Sequence, residues 1–287
     1  MTGMSTQKLV AIGDNCLDVY LTKDVMTVGG NALNVAVQWR RQGWKVRYLG
    51  AIGEDAEGDY LLEEVEAAGL SGKDVDRRRG DTAVTLLREE GGDRRFLLES
   101  LGVGKNFVPA AIYDPVIAAA DWVHLGTNSN PDLVRRLVRD LIPFSVDIST
   151  THRSLPLEGV PLLFASGPDA PSDPVGPIID SFLAEGAGQV VLTCGARGAY
   201  FHNGTALLHA PAAPVTVVDT CGAGDSFIAA FLTWFCCERR GGAEALHKAA
   251  AAAAETCSHI GGFPQQPRRI PHWLLQKYAA YIGPVEG

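Results

Sequence analysis

The segment DTCGAGDSF at positions 219–227 combines glycines with an acid in a spacing that could hold and transfer a phosphate. An apolar helix is expected to follow, so the backbone N–H groups at its start would lack intrahelical partners. The helix dipole adds positive charge there, and glycines let a ligand approach the backbone closely. The segment therefore predicts an anion site. The N–H groups concerned belong to Gly222, Ala223 and Gly224.

Asp225 is expected in the first turn of that helix, beside the predicted anion site. A carboxylate would repel a bound phosphate, which favours a chemical role: a general base that takes a hydroxyl proton while the N–H groups stabilise a transferring phosphoryl group. The alternative is the common stabilisation of a helix N-terminus by an acid. An esterase-like interpretation, with Ser226 as nucleophile, is weaker than phosphoryl transfer.

Acids and amides form a second cluster near the N-terminus of the chain. Asp14 follows the first predicted strand, at the edge where open α/β sheets bind ligands. Carboxylates accept hydrogen bonds from vicinal hydroxyls, and amides both donate and accept. The cluster therefore predicts a polyol clamp, although Asn31 could instead cap a helix and Asp14 a turn. Its candidate substrate-binding residues are Asp14, Asp18, Gly30, Asn31 and Asn34.

Strand-like and helix-like segments alternate along the chain, which predicts an α/β, doubly wound, mostly parallel sheet with helices on both faces. The predicted strands are residues 9–12, 45–51, 122–125, 144–147, 162–165 and 190–193, with another ending at Val217-Val218. The predicted helices are residues 32–42, 56–68, 131–141, 174–185, 242–260 and one from the glycine-rich turn through Phe235. No linker is visible, so we expect a single domain over residues 1–287.

Two extended segments interrupt this alternation, at residues 19–28 and 83–98. The second is a predicted hairpin turning at Gly91-Gly92. Such hairpins form either a small β-strand lid or an extension at the edge of the main sheet. An exposed hairpin edge would also allow the chain to pair as a homodimer.

Composition limits the partners and the location. The 287 residues carry 33 acids and 25 bases, a net charge of −8, which argues against a nucleic-acid binder and does not favour an anionic membrane. The six cysteines show no CxxC spacing, so free thiols are expected. No N-terminal apolar segment resembles a signal peptide, and no apolar run is long enough to span a bilayer. A cytoplasmic protein is expected.

Two long motifs carry a resemblance to a known family. Residues 29–58, beginning GGNALNVAV, and residues 219–231, DTCGAGDSFIAAF, resemble the two signatures of the PfkB, or ribokinase-like, carbohydrate kinases. The resemblance implies phosphoryl transfer from ATP to a sugar hydroxyl on a doubly wound sheet with a small β lid. Further segments resemble the members that phosphorylate the 6-hydroxyl of fructosamines such as fructoselysine.

Roles follow from the resemblance position by position. Asp225 would be the catalytic base, with Gly222, Ala223 and Gly224 as the anion hole, and the substrate-binding candidates above would hold the sugar. The nucleotide would contact Thr193, Gly195, Gly198, Gly222 and Gly224. The predicted helix 242–260 and the following Gly261-Gly262 would bracket the adenine. ATP would be the co-substrate and Mg²⁺ its metal cofactor, and a monovalent cation could bind as well.

One departure from the family concerns the metal. Many relatives carry an Asn-x-x-Glu motif where this chain has residues 164–169, FASGPD, so the protein ligands of Mg²⁺ are unassigned. Asp147 and Asp169 are candidates. Three alternatives stay open: a ribokinase-like kinase for another sugar, a nucleoside kinase, and a catalytically silent sugar-binding regulator. In a fructosamine kinase, Arg94, Arg95 and Glu99 could meet the amine part of the substrate.

Overall fold

The computed structural model describes residues 7–90, 93–150 and 155–283. The strands are β1 (Lys8–Ile12), β2 (Cys16–Tyr20), β3 (Val25–Gly29), β4 (Lys45–Gly53), β5 (Val75–Arg78), β6 (Val84–Glu90), β7 (Asp93–Ser100), β8 (Trp122–Leu125), β9 (Phe144–Asp147), β10 (Leu162–Ser166), β11 (Val190–Thr193), β12 (Ala199–His202), β13 (Leu207–Ala210) and β14 (Arg268–Arg269). The α-helices are α1 (Asn31–Arg41), α2 (Ala56–Ala67), α3 (Asp114–Ala118), α4 (Pro131–Arg139), α5 (Gly176–Ala184), α6 (Ala223–Leu232), α7 (Gly242–Thr256), α8 (His272–Lys277) and α9 (Ala279–Ile282).

The larger sheet has nine strands in the order β13-β12-β11-β10-β9-β8-β1-β4-β5. From β11 to β5 all neighbours pair in parallel, and the β12–β13 hairpin adds two antiparallel strands at one edge. Strand β1 lies inside the sheet, with Ile12 in register with Leu49 of β4 and Leu125 of β8. The predicted mostly parallel α/β fold is confirmed.

Helices cover both faces of this sheet because the side chains of its strands alternate between two apolar clusters. In β1, Leu9 and Ala11 belong to the cluster beneath α1, α6 and α7, whereas Val10 and Ile12 belong to the cluster beneath α4 and α5. On the first face, buried Trp39 of α1 donates its indole N–H to a carbonyl of α6 at 3.1 Å. That contact fixes α1 against α6, the two helices that carry the candidate catalytic residues.

A separate five-stranded sheet, in the order β14-β3-β2-β6-β7, contains both extended segments. Residues 19–28 form a hairpin rather than one extended piece, because the chain turns through Leu21–Lys23 and Asp24 adopts a left-handed φ of 52°. β6 and β7 pair antiparallel as predicted, although the turn at Gly91-Gly92 lies outside the described residues. The segments are therefore no extension of the main sheet. Strand β14 was not predicted.

Three predicted boundaries were wrong. Residues 211–222 are described and contain no strand. Val217 and Val218 are exposed, and Val218 N donates at 2.8 Å to the carbonyl of Cys257, the residue after α7. Helix α6 ends at Leu232 and continues as a π-helix over Thr233–Cys237. Helix α7 ends at Thr256, before residue 260.

The described residues bear on two further predictions, about disulfides and membrane-spanning helices. Each of the six cysteines lies within the described ranges, and none forms a disulfide. Among the helices of those ranges, none has both the length and the apolar character that crossing a bilayer requires.

Candidate active site

Asp225 lies in the first turn of α6, facing the first turn of α1. Asn31 Nδ2 donates to Asp225 Oδ1 at 2.7 Å, and Asn34 Nδ2 donates to Asp225 Oδ2 at 2.5 Å. The three-residue spacing puts both amides on one face of α1. Burial raises the pKa of Asp225 to about 6, opposed by the hydrogen bond from Asn34. A carboxylate with that pKa can accept a proton near neutral pH.

Asn31 also joins a second acid to the site. Its Nδ2 atom donates to Asp147 Oδ2 at 2.9 Å, so one amide group serves both Asp147 and Asp225. Burial raises the pKa of Asp147 to about 7, a backbone hydrogen bond from Ser149 lowers it, and the charge of Asp225 raises it. The two carboxylates therefore titrate as a coupled pair.

A buried chain of polar groups orients the Asn31 amide. His124 Nε2 lies 3.2 Å from Asn31 Oδ1, and His124 Nδ1 lies 3.0 Å from Ser145 Oγ. Burial lowers the pKa of His124 to about 3, so the ring is neutral. Because Asn31 Oδ1 can only accept, Nε2 carries the proton and Nδ1 accepts from Ser145. Trp122 Nε1 in turn donates to Ser145 Oγ at 3.1 Å. Sequence reasoning missed this chain.

Asp14 sits at the N-terminus of α1. Its carboxylate accepts from Asn31 N at 2.9 Å, Ala32 N at 3.3 Å and Thr127 Oγ1 at 3.0 Å. It therefore caps the helix in place of Gly30, the N-cap residue, which has no side chain to do so. Burial raises the pKa of Asp14. Gly30 is required for close packing, since a Cβ there would lie 2.4 Å from Asn15 Cα.

Asp18 lies on β2 of the smaller sheet, and its Oδ2 atom would be 2.7 Å from a Cβ on Gly29, close to the start of α1. Its Oδ2 atom is 3.8 Å from Cys221 Sγ, and burial raises the pKa of Asp18 to about 7. Asp219, which sequence reasoning passed over, anchors the glycine-rich loop. It accepts from Tyr20 Oη at 2.8 Å and from the backbone N–H groups of Cys221 and Gly261, each at 3.0 Å.

The glycine-rich turn packs against another glycine pair. Gly222 adopts φ 73°, and a Cβ there would lie 2.2 Å from Gly262 Cα. A Cβ on Gly262 would lie 2.3 Å from Asn34 Nδ2, so Gly262 fills the space between the turn and α1. In contrast, nothing lies within 4 Å of a Cβ built on Gly224. The two loop glycines therefore differ: Gly222 is needed for packing, and Gly224 leaves open space for a ligand.

A cavity of about 690 Å³ opens beside Gly224, bordered by β11, α6 and α7. Four of the residues predicted to bind nucleotide line it: Thr193, Gly195, Gly198 and Gly224. Gly222, the fifth, is not part of this lining. Helix α7 contributes Ala250, Ala253 and Ala254, and Cys257, the residue after α7, also lines the cavity. Gly261 and Gly262 are outside this lining and pack against β3 and the glycine-rich turn. That they bracket the adenine stays a prediction.

Two smaller cavities adjoin on the other side of the acids. One, about 190 Å³, is lined by Asp14, Asn15 and Cys16 and by residues of the smaller sheet. The other, about 390 Å³, is lined by Asp147 and the chain after it. The two share Glu99, Leu101, Thr127 and Asn128. Ala223 and Gly224, next to Asp225, line the large cavity, and Asp147, which shares the Asn31 side-chain amide with Asp225, lines the joined pair. We name the joined pair the acceptor side, for the hypothesis that it holds the sugar.

The magnesium candidates fall on different sides. Asp169 lines the large cavity, whereas Asp147 lines the acceptor side. Within the described ranges, no group of three or more His, Cys, Asp or Glu side chains could hold a metal ion. Mg²⁺ needs only one or two carboxylates when nucleotide phosphates and water complete its shell, so the acids present fit it as part of a nucleotide complex.

Arg94, Arg95 and Glu99 were predicted to meet the amine part of the substrate. The side chain of Arg94 lies outside the described residues, and exposed Arg95 does not line the described cavities, whereas Glu99 does.

Ser226 is buried, and its hydroxyl contacts Gln38 Nε2 at 2.9 Å and Thr256 Oγ1 at 2.6 Å. Neither the amide of Gln38 nor the hydroxyl of Thr256 can act as a general base for Ser226, so the structure argues against the esterase interpretation.

Known structures share this fold, and known sequences are similar to this chain over most of its length. The structure of Arabidopsis thaliana ribokinase complexed with ribose and ATP matches with a TM-score of 0.79 at 21% identity, covering 95% of this chain and 98% of that one. The fold is therefore the ribokinase-like fold.

The chain belongs to the family described as pfkB family carbohydrate kinase, whose model matches residues 6–139 and 170–268. It is 32% identical over 264 residues to fructosamine kinase FrlD of Bacillus subtilis, covering 89% of this chain and 93% of that protein. It is 31% identical over 265 residues to fructoselysine 6-kinase of Escherichia coli, covering 89% and 99%. The unmatched interval contains the stretch that lacks Asn-x-x-Glu.

Proposed function

We propose that this sugar kinase transfers the terminal phosphoryl group of ATP to the 6-hydroxyl of a fructosamine such as fructoselysine. The observation that carries the proposal is the position of Asp225. Both asparagines of α1 hold its carboxylate at the start of α6, whose residues Ala223 and Gly224 line the large cavity. Asp147, which shares the Asn31 amide, lines the acceptor side.

In the proposed reaction, the acceptor hydroxyl gives its proton to Asp225 as its oxygen forms a bond to the terminal phosphorus. The bond from that phosphorus to the bridging oxygen breaks, and ADP leaves with the electron pair. The N–H groups of Gly222 and Gly224 stabilise the charge on the transferring group, whereas the N–H of Ala223, predicted as the third donor, donates to Thr220 O at 3.3 Å. When bound with the nucleotide, Mg²⁺ would neutralise phosphate charge, and Asp169, the one carboxylate among the described residues lining that cavity, would help to hold it.

The charge of the acceptor cavities supports a cationic substrate. Among the described residues that line them, Asp14, Glu99 and Asp147 are acidic and Lys105 is the one base. The secondary amine of a fructosamine is protonated near neutral pH, so this lining attracts it. A neutral sugar gains nothing from these charges, and a sugar phosphate is repelled. The same lining argues against a ribose phosphate as the acceptor.

The smaller sheet would act as a lid in this proposal. Its residues Cys16, Thr85 and Glu99 face the acceptor cavity. Closure over the sugar would exclude water, so that ATP is not simply hydrolysed. The described cysteines form no disulfide, which suits a reducing cytoplasm as the place of action.

A substrate panel tests the proposal. ADP release is measured with ATP and fructoselysine, other fructosyl amino acids, fructose, ribose or adenosine, and the position of the new phosphate is read by ³¹P-coupled NMR. We expect the highest kcat/KM with a fructosyl amino acid and a 6-phosphate product. Preference for ribose or adenosine would contradict the fructosamine assignment. Sugar binding without ADP release would favour a non-catalytic regulator.

A further inference from the structure

We infer that the acceptor carries a free amino-acid group, which Lys105 and Glu99 bind through its carboxylate and its ammonium. This inference rests on the proposed function, because it concerns the part of a fructosamine beyond the sugar. It assigns two positioning contacts for the substrate that lie outside the catalytic cluster.

The shape of the acceptor side provides the space. Its two cavities join at Glu99, Leu101, Thr127 and Asn128. At the inner end lie Asp14, which accepts from the backbone N–H of Asn31, and Asp147, which accepts from the side-chain amide of Asn31. A sugar placed there with its 6-hydroxyl at Asp225 directs its amine substituent outward. The substituent then passes along the residues that follow β7.

Glu99 and Lys105 lie on this outward path. Glu99 is on β7, in register with Thr85 of β6, and Lys105 follows the short 3₁₀ turn Gly102–Gly104. Both side chains are exposed, and both line the smaller cavity. Neither forms an ion pair with another residue of the described ranges. Two opposite charges thus face one cavity without neutralising each other.

Lys105 provides a positive charge among the acidic residues that line these cavities. Glu99, together with Asp14 and Asp147 in their ionised forms, would repel a substrate carboxylate. Lys105 is the single cation among the described residues lining these cavities, so it is the one group there that can attract that carboxylate. Glu99, the one acid shared by both cavities, suits an ammonium. An α-amino acid presents both groups on one carbon.

Three related acceptors separate the two contacts. Fructoselysine carries both end groups, fructosyl-6-aminohexanoate carries only the carboxylate, and fructosyl-cadaverine carries only the ammonium. We expect Lys105→Gln to lower kcat/KM about fivefold or more for the two carboxylate-bearing acceptors, mainly through KM, and to leave fructosyl-cadaverine unchanged. We expect Glu99→Gln to lower kcat/KM for the two ammonium-bearing acceptors and to leave fructosyl-6-aminohexanoate unchanged.

Lys248→Gln is the matched control, because this exposed lysine of α7 lies outside the acceptor cavities. It should change none of the three values. Equal effects of Lys105→Gln on all three acceptors, or no effect on any, would overturn the inference while the proposed function stands. If the wild-type protein phosphorylates none of the three acceptors, the proposed function fails first, and the inference falls with it.

Discussion

The Nδ2 atom of Asn34 lies 2.5 Å from the Oδ2 atom of Asp225, a residue 191 positions later in the chain. This contact joins the two family signatures, one on α1 and one on α6, into a single catalytic unit. It stabilises the ionised form of Asp225 against burial, which acts in the opposite direction. The asparagines predicted to hold the sugar therefore contact the base itself. Their contact with the sugar stays a prediction.

Activity should fall as the pH drops through about 6, because Asp225, with a pKa raised to about 6, must be ionised to accept a proton. Asn34→Ala removes a donor that lowers this pKa, so the acidic limb of the kcat profile should move to higher pH. Profiles of both proteins measure the shift. An unmoved limb would disconnect Asn34 from the base. Because Asp147 is coupled to Asp225, the limb describes the pair.

His124 should act through Asn31. His124→Phe keeps the aromatic contacts with Trp39 and Phe164 but removes the donor to Asn31 Oδ1. Loss of amide orientation should lower kcat roughly ten- to hundredfold and leave the KM for ATP unchanged. His124→Gln, which retains an N–H donor, should recover part of the loss. Equal kcat in the two variants, or a change confined to thermal stability, would argue against the orienting role.

The two loop glycines should respond differently to alanine. Gly222→Ala should destabilise the protein by more than about 1 kcal/mol, since φ is 73° and the Cβ would meet Gly262. Gly224→Ala should leave the melting temperature unchanged or slightly raised, because its Cβ meets open space in a helix. The same Cβ enters the large cavity, so the KM for ATP should rise. Calorimetry and ATP titrations measure both effects. Matching melting temperatures for the two variants would contradict this distinction.

Asp18 should reduce stability at alkaline pH. The pKa of Asp18 is about 7 in the folded protein, above its usual value of 3.8. Its contribution to stability is therefore full below pH 3.8 and is lost as the pH rises from 3.8 to about 7. The free energy of unfolding should therefore fall by up to about 1.4 kcal/mol per pH unit in this interval. Asp18→Asn should remove the part of this slope that Asp18 contributes and leave the part due to Asp147 and Asp225, whose pKa values are also raised. The variant should be more stable than wild type at pH 8.

Urea denaturation at pH 5 and pH 8 measures the difference. Asp180→Asn, at an exposed acid on α5, provides the control and should follow the wild-type pH dependence. A wild-type slope that persists in Asp18→Asn would show that other acids cause it.

The sequence predicted the parts of the site better than their contacts. Apolar runs such as residues 9–12 and 190–193 predicted the parallel strands, because burial on both faces requires continuous apolar side chains. The glycine-rich turn predicted the start of α6 from local backbone chemistry alone. The spacing of Asn31 and Asn34 gave their shared face, but not the carboxylate that faces it.

What the sequence could not predict depends on contacts between distant segments. Gly262 packs against Gly222 and Asn34, and Asp147 joins through Asn31, 116 positions away. The error at Val217 and Val218 has the same origin: two β-branched residues favour a strand locally, whereas the tertiary fold provides only the end of α7 as a partner. Strand β14, two arginines long, has no periodic signal at all.

Asp225→Asn tests the central claim most directly. The amide keeps the size of the side chain but cannot take the hydroxyl proton, so phosphorylation of fructoselysine should fall about 10²- to 10⁴-fold in kcat. Calorimetric titration should show ATP binding within a few-fold of wild type. Near wild-type kcat in this variant would contradict the assignment of Asp225 as the base; loss of kcat with intact ATP binding is the result that the account predicts.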